Sequence, residues 1–153
     1  MKNRLITNEQ ELLSVIEKAD SCVMAMVGTD LAPYAIPMNF GYHQQTIYLH
    51  TAKEGKKVGI LKQHPSVCLV FSTDHMLRYQ NEEVACSWSM KYRSVLIYGN
   101  VEFIDDMNER IEAMNYLMQK YAAKDFKYSM PAIREVLPFK VVIEKIEGRA
   151  YGY

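Results

Sequence analysis

The chain has 153 residues, 18 Lys+Arg balanced by 18 Asp+Glu, and an apolar share of 49%. This length predicts one domain over residues 1–153, and the apolar share is enough for a core. The charged share of 24% is that of a globular protein, so disordered and collagen-like chains are excluded. A balanced charge and a sequence pI of about 6.9 argue against a polycation acting on nucleic acid or an anionic membrane, although a local cluster can hide inside a zero sum.

Asn8 to Asp20 predicts a helix. Asn8 and Glu11 have capping-box spacing, and Leu12, Leu13, Ile16 and Ala19 share a face. Ser21 to Thr29 predicts a strand that turns at Gly28-Thr29-Asp30. Pro33 to Tyr42 is extended, because prolines at 33 and 37 forbid a regular helix. Pro37 has no amide proton, which suits an edge or a bulge. Gln44 to Thr51 predicts a third strand, with Ile47, Leu49 and Thr51 on one face and Tyr48 and His50 on the other.

A short helix follows from Gly55 to His64, closed by Pro65, and Ser66 to Ser72 predicts a buried strand. Residues 73–90 are polar, mixed and without a period. Tyr92 to Ile104 predicts a long strand containing Gly99. Asp105 or Asp106 then caps a helix whose Met107, Ile111, Met114, Met118 and Tyr121 form a stripe for core or subunit packing. Residues 122–135 predict a loop with a short helix before Pro138, and Phe139 to Ile146 predicts a last strand. The expected fold is mainly β with flanking helices, about six strands in an antiparallel sheet that curls into a small barrel.

Cys22, Cys68 and Cys86 are far apart and form no Cys-x-x-Cys, so they read as small buried residues in a reducing compartment. The N-terminus, from Met1, has no apolar core of a signal peptide, and the longest apolar run, Cys22 to Val27, is too short to span a bilayer. The expectation is a soluble cytoplasmic protein. The histidines lack metal-ligand spacing, so no metal site is expected. The usual serine-hydrolase and Rossmann signals are absent too.

The segment Tyr48-Leu49-His50-Thr51-Ala52-Lys53-Glu54-Gly55-Lys56-Lys57 carries the chemistry. A helix N-terminus has unpaired amide protons and partial positive charge. With the Thr51 hydroxyl, the flexible Gly55 and Lys53, Lys56 and Lys57, it suits a phosphate dianion, although such a run can also be a solvated turn. It is not a Walker loop, because no Gly precedes Gly55 by five residues. The irregular stretch Ala35 to Gly41 offers backbone donors and acceptors to the edge of a flat heteroaromatic ring, or is a proline bulge in an edge strand. Arg93 is placed to pair with a phosphate or with any acidic neighbour.

Taken together, Ile36-Pro37-Met38-Asn39-Phe40, then Tyr48-Leu49-His50-Thr51-Ala52, then Gly55-Lys56-Lys57, then Tyr92-Arg93-Ser94-Val95 with Gly99 resemble the FMN-binding split barrels of the pyridoxamine 5'-phosphate oxidase superfamily. The nitroimidazole-reductase-like (nitroimidazole resistance) branch is the nearest in pattern, over roughly residues 8–150. The closing Ile146-Glu147-Gly148-Arg149 resembles the family's Thr-Gly-Lys ending, with Glu147 and Arg149 as departures.

The resemblance implies a six-stranded split barrel that forms a homodimer with two FMN sites at the interface. Ile36, Pro37, Met38, Asn39 and Phe40 would line the isoalloxazine. Thr51, Ala52, Gly55, Lys56 and Lys57 would hold the phosphate, helped by Arg93 and Ser94. His50 would stand close to the flavin as proton donor or would orient the acceptor. The basic C-terminal pattern of true pyridoxamine phosphate oxidases is missing before Tyr153, so that substrate is not expected. The implied activity is electron transfer from a reduced nicotinamide donor to a small acceptor such as a nitroaromatic or a quinone. Non-catalytic flavin binding, and another phosphate-bearing or haem-type ligand, stay open.

Overall fold

The computed structural model describes residues 2–122, 124 and 126–153. Among the described residues nine strands form one antiparallel system: β1 (Asn3–Ile6), β2 (Cys22–Val27), β3 (Pro33–Met38), β4 (Gly41–His43), β5 (Thr46–Ala52), β6 (Ser66–Arg78), β7 (Ser89–Phe103), β8 (Val136–Val142) and β9 (Lys145–Tyr151). Their order is β3-β2-β6-β7-β8-β5-β4, and β9 joins β7 to β1. Four helices flank them: α1 (Glu9–Lys18), α2 (Lys56–Gln63), α3 (Met107–Ala122) and α4 (Met130–Glu135).

The split lies in β7. Its residues 92–98 pair with β9, whereas Val101, Glu102 and Phe103 pair with β8. Gly99 stands between the two ladders. A Cβ there would collide with the Val142 carbonyl oxygen and the Val141 side chain, so only glycine lets the diverging strands meet so closely.

Local chemistry explains the helix starts. Asn8 Oδ1 accepts the Glu11 amide proton at 3.0 Å and caps α1. The Glu11 carboxylate does not return to Asn8 but takes Arg4 and Arg93. Asp106 Oδ1 accepts from the amides of Asn108 (2.9 Å) and Glu109 (3.0 Å) and caps α3. Inward residues of the strands meet in a core that includes Phe40, Phe71, Phe139, Ile47, Leu49 and Ile97, all essentially inaccessible. The apolar face of α1, Leu12, Val15 and Ile16, lies against β6 and β7.

Several sequence expectations need correction. β1 pairs with β9 and gives no local signal. The expected last strand, 139–146, crosses a turn at Ile143 and Glu144, whose amides bond to the carbonyls of Gln45 and Tyr98. No proline or glycine marks that turn. Residues 73–90 extend β6, start β7 and add a 3-10 turn at Ala85–Ser87. The buried seam of α3 is Ala113 and Leu117, with the methionine stripe half-buried beside it. Cys22 is buried and Cys68 half-buried, but Cys86 is exposed, so it is no core residue. Part of the expected 122–135 loop, at 123 and 125, lies outside the described residues, as does Met1. Among the described residues, no helix is long and apolar enough to cross a membrane.

Candidate functional site

β5 delivers the central residues. Ile47, Leu49 and Thr51 face the core and Tyr48 and His50 the other side, the alternation expected of a half-buried strand. At its end Thr51 Oγ1 and His50 Nδ1 are buried without a partner among the described residues. Burial, and then the charge of Lys57, push the His50 imidazole below its ordinary pKa. Both causes favour the neutral imidazole over the imidazolium.

The chain then enters α2 at Gly55, with φ +124° and ψ 173°. No atom lies within 4 Å of where its Cβ would be, so the backbone dihedral alone requires glycine. No side chain caps α2, and its first turn holds no acidic residue. The first helical bond runs from the Gly59 amide to the Gly55 carbonyl at 3.1 Å, which leaves the preceding amides open for an anion.

The lysines of this turn diverge. Lys57 Nζ reaches the Met38 sulfur at 3.5 Å, and burial holds its pKa below the usual lysine range. Lys56 lies over the Tyr34 ring at 4.6 Å and borders a cavity of about 320 Å³ shared with the 28–32 turn. Lys53 turns away to Glu135 (3.3 Å). Lys57, Met38 and His50 thus form one cluster, while Ala52 at the strand end is exposed.

The expected ring-lining run is divided by strand alternation. Ile36 is half-buried and Met38 buried, whereas Pro37 and Asn39 are exposed. Pro37 does sit in the edge strand, opposite Val23. Phe40 belongs to the core: its ring meets Phe71 edge-to-face at 4.8 Å and lies under Lys120. Its amide donates to Tyr121 Oη, which donates in turn to the Asp20 carbonyl.

Arg93 and Ser94 are also on opposite faces. Arg93 pairs across the sheet with buried Thr73 and Ala150. Its guanidinium donates to Glu11 (3.2 Å) and Asp74 (2.7 Å) and stacks on Tyr153. Ser94 faces outward, opposite Ser72 and Arg149. Of the two readings open for Arg93, its contacts within the chain are those of an acidic neighbourhood. Sequence reasoning missed Arg149 as the guanidinium on the Ser94 face, because only the β7–β9 register reveals it. It also missed the Lys57–Met38 contact, which joins two distant segments.

A sequence model of the family described as pyridoxamine 5'-phosphate oxidase matches residues 8–150. The crystal structure of a candidate 5-nitroimidazole antibiotic resistance protein from Bacteroides thetaiotaomicron VPI-5482 is 39% identical, with a TM-score of 0.88. The match covers 97% of this chain and 87% of that one. The FAD and heme binding protein of Mycobacterium smegmatis has the same fold (16% identity, TM-score 0.83, covering 100% of this chain and 75% of that one). So does the flavocytochrome Anf3 of Azotobacter vinelandii (15%, 0.80, 99% and 70%). No curated protein sequence matches the chain.

Proposed function

Because the chain belongs to the pyridoxamine 5'-phosphate oxidase family, we propose that it binds FMN and acts as an oxidoreductase, passing electrons from a reduced nicotinamide donor to a small acceptor such as a nitroaromatic or a quinone. The observation that carries this reading is the pair of partnerless buried atoms, Thr51 Oγ1 and His50 Nδ1, next to the uncapped start of α2. Buried polar groups are normally satisfied, so a ligand that partners both atoms fits here.

The residues fit a phosphate-bearing flavin. FMN, when bound, supplies the redox chemistry. The open amides of α2, the Thr51 hydroxyl and the Lys57 ammonium would hold the phosphate. Met38 and Ile36 supply apolar surface beside Lys57. A neutral His50 offers a hydrogen bond that orients the acceptor rather than a proton at neutral pH.

Two copies form the working unit in this reading. Support comes from the outer face of the sheet, where Pro37, Val23, Val70 and Leu96 lie in one cross-strand row and Ala35, Ala25, Cys68 and Tyr98 in the next. The eight side chains named are uncharged, the rows reaching Glu147 and Lys145 only on β9, and Val23 is 41% exposed. Sedimentation should give a dimer that Val23→Glu dissociates.

The test is titration of the purified protein with FMN and with riboflavin. Wild type should stay yellow after free FMN is removed by desalting. A Lys56→Glu, Lys57→Glu double variant should lose FMN affinity by about tenfold or more, as loss of the Lys57 charge-assisted contact would cause, and keep its riboflavin affinity. Unchanged FMN binding, or a haem spectrum in the protein as purified, would overturn the assignment. Tight FMN that neither NADH nor NADPH reduces would replace the oxidoreductase with a flavin carrier.

A further inference from the structure

A cavity of about 280 Å³ opens at the outer end of the β6–β7 hairpin and shares no lining residue with the β5–α2 turn. Tyr79 and Trp88 stack there, with centroids 4.2 Å apart, and Tyr151 of β9, Arg78, Gln80, Cys86, Ser87 and Ser89 complete the lining. This end of the hairpin buries little: Tyr79 is 47% exposed, and Met76 and Leu77 more so.

It is nevertheless tightly built. Ser87 Oγ donates to the Asn81 carbonyl (2.6 Å) and accepts the Asn81 amide (3.2 Å). The Glu83 amide donates to Asn81 Oδ1 at 2.9 Å. Trp88 Nε1 donates to the Glu82 carbonyl at 3.0 Å, which fixes the indole and uses its only donor. The Arg78 guanidinium makes no ion pair or side-chain hydrogen bond with the described residues.

Held aromatic walls beside an uncommitted planar cation suit a flat ring that carries an anionic group. The volume falls just below the roughly 300–1,000 Å³ of drug-sized sites, which limits the occupant to one or two rings. We propose that this cavity is a binding site for small aromatic carboxylates, separate from the phosphate turn. The proposal does not depend on the flavin assignment.

Trp88 is the only tryptophan, so its fluorescence reports this cavity directly. The probes are 4-nitrobenzoate and the neutral 4-nitrobenzyl alcohol, added without reductant to the full chain and corrected for absorption. The carboxylate should quench Trp88 saturably. Arg78→Gln should weaken it about tenfold, as loss of one charge-assisted pair implies, and leave the alcohol unchanged. Circular dichroism checks that the variant is folded.

Linear, unsaturated quenching would overturn the proposal, as would equal loss of both probes in Arg78→Gln. Loss of carboxylate binding in Lys56→Glu, Lys57→Glu with Arg78 intact would move the anion to the phosphate turn and also overturn it. Competitive displacement of 4-nitrobenzoate by FMN would make the cavity part of the cofactor site, with the same consequence. Failure of FMN to bind at all would sink the flavin reading and leave this one standing.

Discussion

Arg93 and Ser94 are neighbours in β7 that point to opposite faces of the sheet. The Arg93 guanidinium closes a network under α1 with Glu11 and Asp74, while Ser94 looks outward beside Arg149. Arg93→Gln should therefore act on stability. It leaves two partly buried carboxylates short of a partner, at a cost of about 2 kcal/mol. Urea denaturation should show this loss, with flavin affinity changed less than threefold. A large loss of FMN affinity in a fully stable variant would return Arg93 to the cofactor.

The same network makes the fold sensitive to acid. The Arg4 hydrogen bond, helped by Arg93, holds the Glu11 carboxyl below its ordinary pKa. Burial alone would raise Asp74, but Arg93 and Lys18 outweigh it and hold that carboxyl low as well. A carboxyl with a lowered folded pKa adds stability above its unfolded value and loses it as pH falls through the folded one. Stability should thus fall below about pH 4, where unfolded carboxyls titrate. In Arg93→Gln the acid midpoint, followed by circular dichroism, should move to higher pH. An unchanged midpoint would show that these carboxyls do not control acid unfolding.

Lys57 sets part of the His50 titration. Burial is the larger cause of its lowered pKa and the Lys57 charge the smaller. Lys57→Met should raise the imidazole midpoint toward the ordinary value without restoring it, as read by NMR titration of the ring. A midpoint that does not move would mean that the two groups are electrostatically independent.

Gly55→Ala tests the start of α2. With φ at +124°, an alanine is strained by about 1–3 kcal/mol although nothing obstructs its methyl. Thermal unfolding should register the strain, and FMN affinity should fall about tenfold or more as the open amides shift. Unaltered stability and binding would show that the turn tolerates another conformation.

The site was legible where its signal was local. Alternation along Thr46–Ala52 and the glycine before Lys56 fix β5 and the start of α2 within a few residues. Pro37 marks the edge strand because its ring removes a ladder donor. What stayed hidden is non-local or irregular. β1 is a four-residue strand that pairs with β9 at the other end of the chain. Asp74, at φ 56°, lies where the β6–β7 register shifts between Thr73 and Met76, so no simple period survives there. The assignment of Arg93 and Ser94 to different faces needs only alternation once β7 is known, but their partners Glu11 and Arg149 come from opposite ends of the chain.

β7 is a shared wall: β6 lines one edge along most of its length, and β9 and β8 divide the other around Gly99. A strand held on both edges by different ladders cannot fray on its own. The two arms of the barrel are therefore coupled through one element and should melt in a single cooperative step. The amides of residues 93–98 should be among the last to exchange with solvent, well after those of the hairpin end at 79–88.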